Sequence, residues 1–322
     1  MAQPRHPAGR AFRFFLAFAG LFALVAFVVT LLPGRPSGSI LGSGGPTVAL
    51  VPLRGEITRS DAFVETLDDL GEDSSVGAVV VRIDSPGGAV APSQEMYEAV
   101  RRLGEEKPVV ASLGSVAASG GYYVASAADV IVANPGTLTG SIGVILQLTN
   151  LQGLMEKVGV QAEIVTAGAQ KDMGSPFRAL TEKERAIFQA MADEVHTQFI
   201  DAVAAGRGLS GEAMRRVSTG RTFTGEQARE LGLVDELGGL HEAVAVAADR
   251  AGIEGEPRVE KVSPERGPWW LRALMSDEAG TSMGRTALAE FTEALSALAD
   301  SSGGDRSPQF LWRLPVVTDG VR

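Results

Sequence analysis

Ser115-Val-Ala-Ala-Ser-Gly-Gly-Tyr-Tyr123 follows the apolar run Pro108-Val-Val-Ala-Ser-Leu113 and leads into Val124-Ala-Ser-Ala-Ala128. The first flank reads as a short buried strand and the second as the continuation of a helix. Ser119 therefore falls where a strand hands over to a helix, with alanines before it and two glycines after it. Glycine lets another backbone approach closely, and the first amides of a helix have no internal acceptor. A hydroxyl in that place has the surroundings of a nucleophile beside an oxyanion hole. A small-residue helix packed tightly on a sheet fits the same letters, so the rest of the chain has to decide.

Working upstream, Thr47–Leu53 and Val76–Ile83 read as β-branched strands. Between them Asp61–Leu70 places Phe63, Val64, Leu67 and Leu70 on one helical face. Strand, helix, strand is the opening of an α/β layer. The second strand runs into Asp84-Ser-Pro-Gly-Gly88, and a helix follows from about Pro92 to Leu103. Free amides at Gly87 and Gly88 would suit a carbonyl oxygen or a peptide backbone; an ordinary Pro-Gly-Gly turn is the plainer alternative.

Downstream, Asp129–Ala133 reads as a strand, Asn134–Gly143 as a loop leading to Val144–Leu146, Leu151–Val158 as a helix and Gln161–Thr166 as extended chain. An irregular loop, Ala167–Pro176, carries Lys171. Thr181–Arg207 is a long helix opened by a Thr181/Glu184 capping box, with Ile187, Phe188, Met191, Val195 and Phe199 on its buried side. Short helices are expected at Ser210–Arg216 and Gly225–Leu231, a longer one at Gly239–Ala251, and a last strand within Pro257–Ser263. Beyond Glu265 the pattern weakens. Gly284–Ala299 is amphipathic, and Gln309–Val317 is an apolar stretch suited to lie extended in a peptide groove.

The 322 residues, 45% of them hydrophobic, are enough for a sizeable core. No cysteine is present, which excludes disulfides, thiol nucleophiles and thiolate metal sites. Phe14–Leu32 is nineteen residues long and apolar apart from Gly20 and Thr30, the length of a membrane-crossing helix. Arg5, Arg10 and Arg13 precede it, so the positive-inside rule predicts an uncleaved anchor with its N-terminus in the cytoplasm and the remaining chain on the outer side of the cell membrane. Its one Ala-x-Ala, Ala17-Phe-Ala19, comes too early to follow a signal-peptide core. Gly34–Pro46 is a Gly/Ser/Pro spacer. Residues 1–35 hold four of the 29 basic side chains, leaving 25 against 39 acidic ones, a surface unsuited to nucleic acid.

Chemistry is narrowed by what the chain offers. His6 precedes the apolar run, and His196 and His241 lie on helices with no carboxylate placed to orient them, which argues against a Ser-His-Asp triad. No HExxH or phosphate loop occurs, so neither a zinc site nor a nucleotide cofactor is expected. Gly280-Thr-Ser-Met-Gly284 lacks a preceding strand and reads as chance. A serine with a lysine as base remains. The chain has five lysines; Lys107, Lys157, Lys183 and Lys261 each lie beside a glutamate, the first three reading as solvated surface charges. Lys171 stands in a Gly- and Ala-rich loop, although Asp172 beside it favours a surface position. An ordinary lysine keeps its proton to a pH of about 10.4, but apolar burial disfavours the charged form, and a desolvated Lys171 would take the Ser119 proton and pass it to a leaving amine.

Four stretches in register, Asp84-Ser-Pro-Gly-Gly88, Ser115–Tyr123, Thr139-Gly-Ser-Ile-Gly143 and Lys171-Asp-Met-Gly-Ser-Pro-Phe-Arg178, together resemble the A-type signal peptide peptidases in their short, single-repeat form. The resemblance covers about Thr47 to Ala251. It implies a ClpP/crotonase-like α/β fold, a layered βαβ spiral over residues 47–254, following the anchor at 1–33 and the linker at 34–46, with residues 255–322 as a C-terminal extension. It implies further that Ser119 is the nucleophile, Lys171 the general base, Ser141 the hydroxyl orienting the lysine amine, and Gly88, Gly120 and Gly87 the oxyanion amides. No cofactor is implied. The expected partners are remnant signal peptides and other hydrophobic peptides, the membrane, and further copies of the chain in a ring or dome, with sites built from more than one subunit. Asp84 stands where the family often has asparagine. Two other readings fit a chain of this fold: a crotonase-like acyl-CoA enzyme, and a non-catalytic membrane scaffold in which Ser119 only packs.

Overall fold

The computed structural model describes residues 46–264 and the backbone of 311–313. Phe14–Leu32, the 34–46 spacer up to residue 45, the Gly280–Gly284 motif and Gly284–Ala299 lie outside the described residues. Among those described, no helix is long and apolar enough to cross a membrane.

The chain alternates strand and helix as its hydrophobic periods dictate: β1 Thr47–Arg54, α1 Asp61–Glu72, β2 Val76–Ser85, β3 Gly87–Ala89, α2 Val90–Gly104, β4 Val109–Ala118 and α3 Gly120–Ala125. There follow β5 Val130–Ala133, β6 Leu138–Gly140, α4 Gln152–Val158, α5 Glu182–Arg207, α6 Gly211–Val217, β7 Thr222–Thr224, α7 Gly225–Glu230, β8 Glu236–Leu237, α8 Leu240–Arg250, β9 Val259–Lys261 and β10 Leu311–Arg313.

The main sheet runs β7-β6-β4-β2-β1-β9, with β5 joined to the first part of β4 and β8 joined to β5. All its pairings are parallel except β6 with β7. Side chains alternate across the strands and sort into two cores. Val79, Val81 and Ile83 of β2 face the helices α1, α2, α3 and α5, while Ala78 and Val80 face Ala243, Val244, Ala247 and Ala248 of α8. Helices thus cover both faces, as parallel sheets require.

The long central strand β4 creates the site. One of its edges is shared: Val110–Leu113 pairs with β5, and Val116–Ala118 pairs with β6. On its other edge the β2 pairing shifts register between Ile83 and Ser85. Asp84 Oδ1 fills that irregularity by accepting the Val116 amide at 3.1 Å, and a Cβ on Gly114 would lie 2.9 Å from Asp84 Cγ. The Asp84 carboxylate is therefore a structural acceptor within the sheet.

Several expectations need correction. Gly87–Ala89 and Leu138–Gly140 read as loops but are short strands, and Thr222–Thr224, to which the sequence assigns no element, is a third. Met191 was expected inside, yet it is 38% exposed, because α5 is buried mainly through Phe188, Phe199 and Val203. Lys107 is no solvated charge: its ammonium donates to the Leu70 carbonyl at 2.6 Å and to the Asp73 carbonyl, closing the end of α1.

Candidate active site

Ser119 stands between β4 and α3 with φ 54° and ψ −122°. Among the described residues it and Ser141, φ 55°, are the two non-glycine residues with positive φ. Such backbone costs of order 1–3 kcal/mol and persists only where the surroundings impose it. Here they do: Ser119 N–H donates to the Gly140 carbonyl at 2.8 Å, and Ser141 N–H to the Arg221 carbonyl at 2.8 Å. The strand pair β4–β6 therefore delivers both serines to one end of the sheet.

α3 is only six residues long and is fixed by burial at every residue. The Tyr122 hydroxyl donates to the Leu233 carbonyl at 2.7 Å, and full burial pushes its pKa well above the usual phenol value. The Tyr123 ring lies 4.9 Å from both Tyr97 and Phe199, and burial pushes its hydroxyl up to about 12. Both phenols stay neutral and serve as packing that sets the start of α3.

Gly88 and Gly120 meet at that start. A Cβ on Gly120 would come within 3.3 Å of the Gly88 nitrogen and 2.5 Å of Ser93 Oγ. A Cβ on Gly88 would strike the Ile57 carbonyl at 2.1 Å, so only glycine fits. Ile57 N–H donates to the Gly87 carbonyl and Ala89 N–H to the Ile57 carbonyl. By strand alternation this turns the Gly88 amide to the opposite edge, towards α3. The Gly87 amide, in contrast, donates to Ser85 Oγ at 3.1 Å.

Within this frame Ser119 Oγ is fully buried and is, among the described residues, the single buried side-chain polar atom without a hydrogen-bond partner. A satisfied core serine would have one, because leaving a buried hydroxyl unpaired costs about 1–3 kcal/mol.

Lys171 is not that partner. It is exposed, in a turn before α5. What fixes its neighbourhood is Arg178, which closes the Lys171–Arg178 motif but has no role assigned from sequence: Nε donates to Asp172 Oδ2 at 2.9 Å, and the guanidinium also donates to both Glu184 carboxylate oxygens, at 2.9 and 2.5 Å. Glu184 in turn accepts the Thr181 amide at 2.8 Å, completing the capping box of α5. Arg178 first, then the Thr181 amide, hold the Glu184 carboxyl down to about 2, and Arg178 lowers that of Asp172 as well. The signal was an arginine six residues from each of two carboxylates, all within reach of one fork.

From Leu151 to Gln170 every residue but Met155 is exposed. Leu154 at 60%, Val158 at 63% and Val165 at 93% are apolar side chains left open to solvent. Neither remaining histidine within the described chain joins the site: His196 Nε2 lies 3.2 Å from the Ile142 carbonyl, and His241 is exposed. No cluster of metal-ligating side chains occurs among the described residues.

The profile of Peptidase family S49 matches residues 101–254, a span holding Ser119, Ser141 and Lys171. The “Putative protease” of Methanocaldococcus jannaschii is 34% identical over 260 residues, which cover 76% of this chain and 84% of that protein. A “Putative protease” of Synechocystis sp. is 49% identical over 183 residues, 57% of this chain and 66% of the cyanobacterial one. Chloroplastic serine protease SPPA of Arabidopsis thaliana is 36% identical over 243 residues, 75% of this chain but only 35% of the plant protein.

Proposed function

This chain belongs to peptidase family S49, and on that premise we propose that it is a serine endopeptidase in which Ser119 attacks the scissile carbonyl and Lys171 of a neighbouring copy serves as general base. The observation that carries the reading is the buried, unpartnered hydroxyl of Ser119, held in a strained backbone beside the Gly88 and Gly120 amides.

The chemistry follows from those positions. Ser119 Oγ adds to the carbonyl carbon as its proton passes to the lysine amine, and the resulting oxyanion is held by the Gly88 and Gly120 N–H groups. With the Gly87 amide donating to Ser85, the pair Gly88 and Gly120 is favoured over one that includes Gly87. Collapse of the adduct expels the amine, which leaves with the proton the lysine took; water then hydrolyses the acyl-serine. In this reading Ser141, one residue beyond the carbonyl that anchors Ser119, orients the amine.

An exposed Lys171 and a buried Ser119 within one chain support assembly of the dyad between copies. The open apolar stretch from Leu151 to Val165 supports the same view, since covering it would bring the Lys171 loop under a neighbour and strip water from the amine. Membrane anchoring through Phe14–Leu32 would hold the site where hydrophobic peptides such as spent signal peptides are released.

The test is hydrolysis of one unstructured hydrophobic peptide by the wild-type chain, Ser119→Ala and Lys171→Ala. Both variants should fold and neither should turn over. Near-normal hydrolysis by Lys171→Ala would remove the dyad and leave Ser119 needing another base.

A further inference from the structure

Ser141 and Ile142 are held from two directions. The Ser141 amide donates to the Arg221 carbonyl at 2.8 Å, and the Ile142 carbonyl accepts the Gly220 amide at 3.0 Å. Both of those partners are exposed and lie just before β7, the three-residue strand at the end of the sheet. The second direction is α5: His196 Nε2 lies 3.2 Å from the same Ile142 carbonyl. A carbonyl only accepts, so Nε2 carries the hydrogen and donates it. One donor already satisfies that carbonyl. The imidazole adds a tie from a helix that is seated in the core through Phe199 and Val203, both fully buried.

From this convergence we infer that His196 is a positioning residue for the reaction, acting through the Ile142 carbonyl to hold Ser141 in place. The inference rests on the peptidase reading for its functional consequence, but the tie itself stands on geometry alone. Ser141 has φ 55°, a conformation that a serine keeps only where its surroundings impose it. Ile142 follows it directly, so a shift of Ile142 passes to the Ser141 backbone through one peptide bond. Phe199, three residues beyond His196 and on the same helical face, stands 4.9 Å from the Tyr123 ring of α3. One face of α5 thus touches both segments that carry the candidate hydroxyls, α3 behind Ser119 and Ile142 beside Ser141. That face sets their spacing. Misplacing a reacting or orienting group by about 1 Å costs on the order of 10² in rate, and losing one hydrogen bond permits a smaller shift.

The experiment compares the full-length wild-type chain with His196→Leu, which keeps bulk but loses the donor, and His196→Gln, whose amide restores an N–H at similar reach. With one unstructured hydrophobic peptide, His196→Leu should lower kcat about tenfold with KM nearly unchanged, and His196→Gln should recover most of that loss. Added to Ser141→Ala, His196→Leu should cost little more, because the group it positions is already gone. Without substrate, hydrogen exchange at the Ser141 and Gly220 amides should speed several-fold in His196→Leu and not in His196→Gln. His196→Ala should act as His196→Leu does and guards against a leucine that does not fit the half-buried position. Unchanged exchange at both amides overturns the inference whatever the kinetics. A wild-type kcat in His196→Leu, or its full loss repeated on top of Ser141→Ala, overturns it as well. Faster exchange in His196→Leu when the wild-type chain hydrolyses no peptide supports the tie and counts against the peptidase reading instead.

Discussion

The amide of Ser119 donates to the carbonyl of Gly140 at 2.8 Å, one residue before Ser141. This single bond joins the two candidate hydroxyl-bearing residues through backbone, and each of those residues has a positive φ. The strain is thus placed where the proposed chemistry is, and it has measurable consequences.

Ser119→Gly relieves the backbone, since φ 54° with ψ −122° is open to glycine and costly for serine. It also removes a buried hydroxyl with no partner. The variant is expected to gain about 1 kcal/mol in stability, the strain relief exceeding glycine's added chain entropy. Peptide hydrolysis should vanish. Denaturant unfolding beside a peptide assay reads both; a less stable Ser119→Gly would mean that the serine conformation is not strained.

The glycine pair separates folding from oxyanion stabilisation. Gly88→Ala places a methyl 2.1 Å from the Ile57 carbonyl, which is backbone and cannot step aside. Destabilisation of about 3 kcal/mol or more is expected. Gly120→Ala instead meets Ser93 Oγ at 2.5 Å, a side chain of moderate freedom, and Gly88 nitrogen at 3.3 Å. It should fold in combination with Ser93→Gly yet lose roughly 10²–10³ in kcat through displacement of an oxyanion donor. Recovery of full activity in that double variant would remove the Gly88–Gly120 pair from the oxyanion hole.

Much of this was legible beforehand, and the reasons are local. Val76–Ile83 and Asp61–Leu70 have strong periods of one kind each, and the strand-to-helix step at Ser119 shows in its apolar run and glycine pair. Gly87–Ala89 and Leu138–Gly140 were illegible as strands because three residues carry no period; their pairing comes from Ile57 and from the split edge of β4. Met191 and the apolar residues from Leu151 to Val165 present hydrophobic patterns that one chain does not bury. Lys107 shows a different limit, since nothing near it in sequence reveals that it closes a helix ending over thirty residues earlier.

Arg178 ties the residue beside Lys171 to the first turn of α5. Glu184, held down to about 2, has a folded pKa below its unfolded one. Its contribution to stability is therefore present above about pH 4.3 and is lost as pH falls through about 2. Arg178→Gln lets the Glu184 carboxyl rise towards its ordinary value, so the acid unfolding midpoint, followed by circular dichroism, should move up by about one pH unit. At pH 7 the same variant should remain folded and lose turnover, because the Lys171 loop is no longer held. Unchanged kcat would make Arg178 a stabilising residue alone.

The separation of Ser119 from Lys171 yields the sharpest test. One is buried at the end of β4 and the other is exposed before α5, so a chain lacking only the serine and a chain lacking only the lysine each retain what the other needs. Ser119→Ala and Lys171→Ala should each be inactive alone. Unfolded together, mixed in equal amounts and reassembled, they should recover about a quarter of the wild-type rate, the fraction of neighbouring pairs that join an intact serine to an intact lysine in a head-to-tail ring. Mixing without subunit exchange should recover nothing, which guards against contamination. If both residues act within one chain, the reassembled mixture stays inactive as well, and the interchain dyad is wrong.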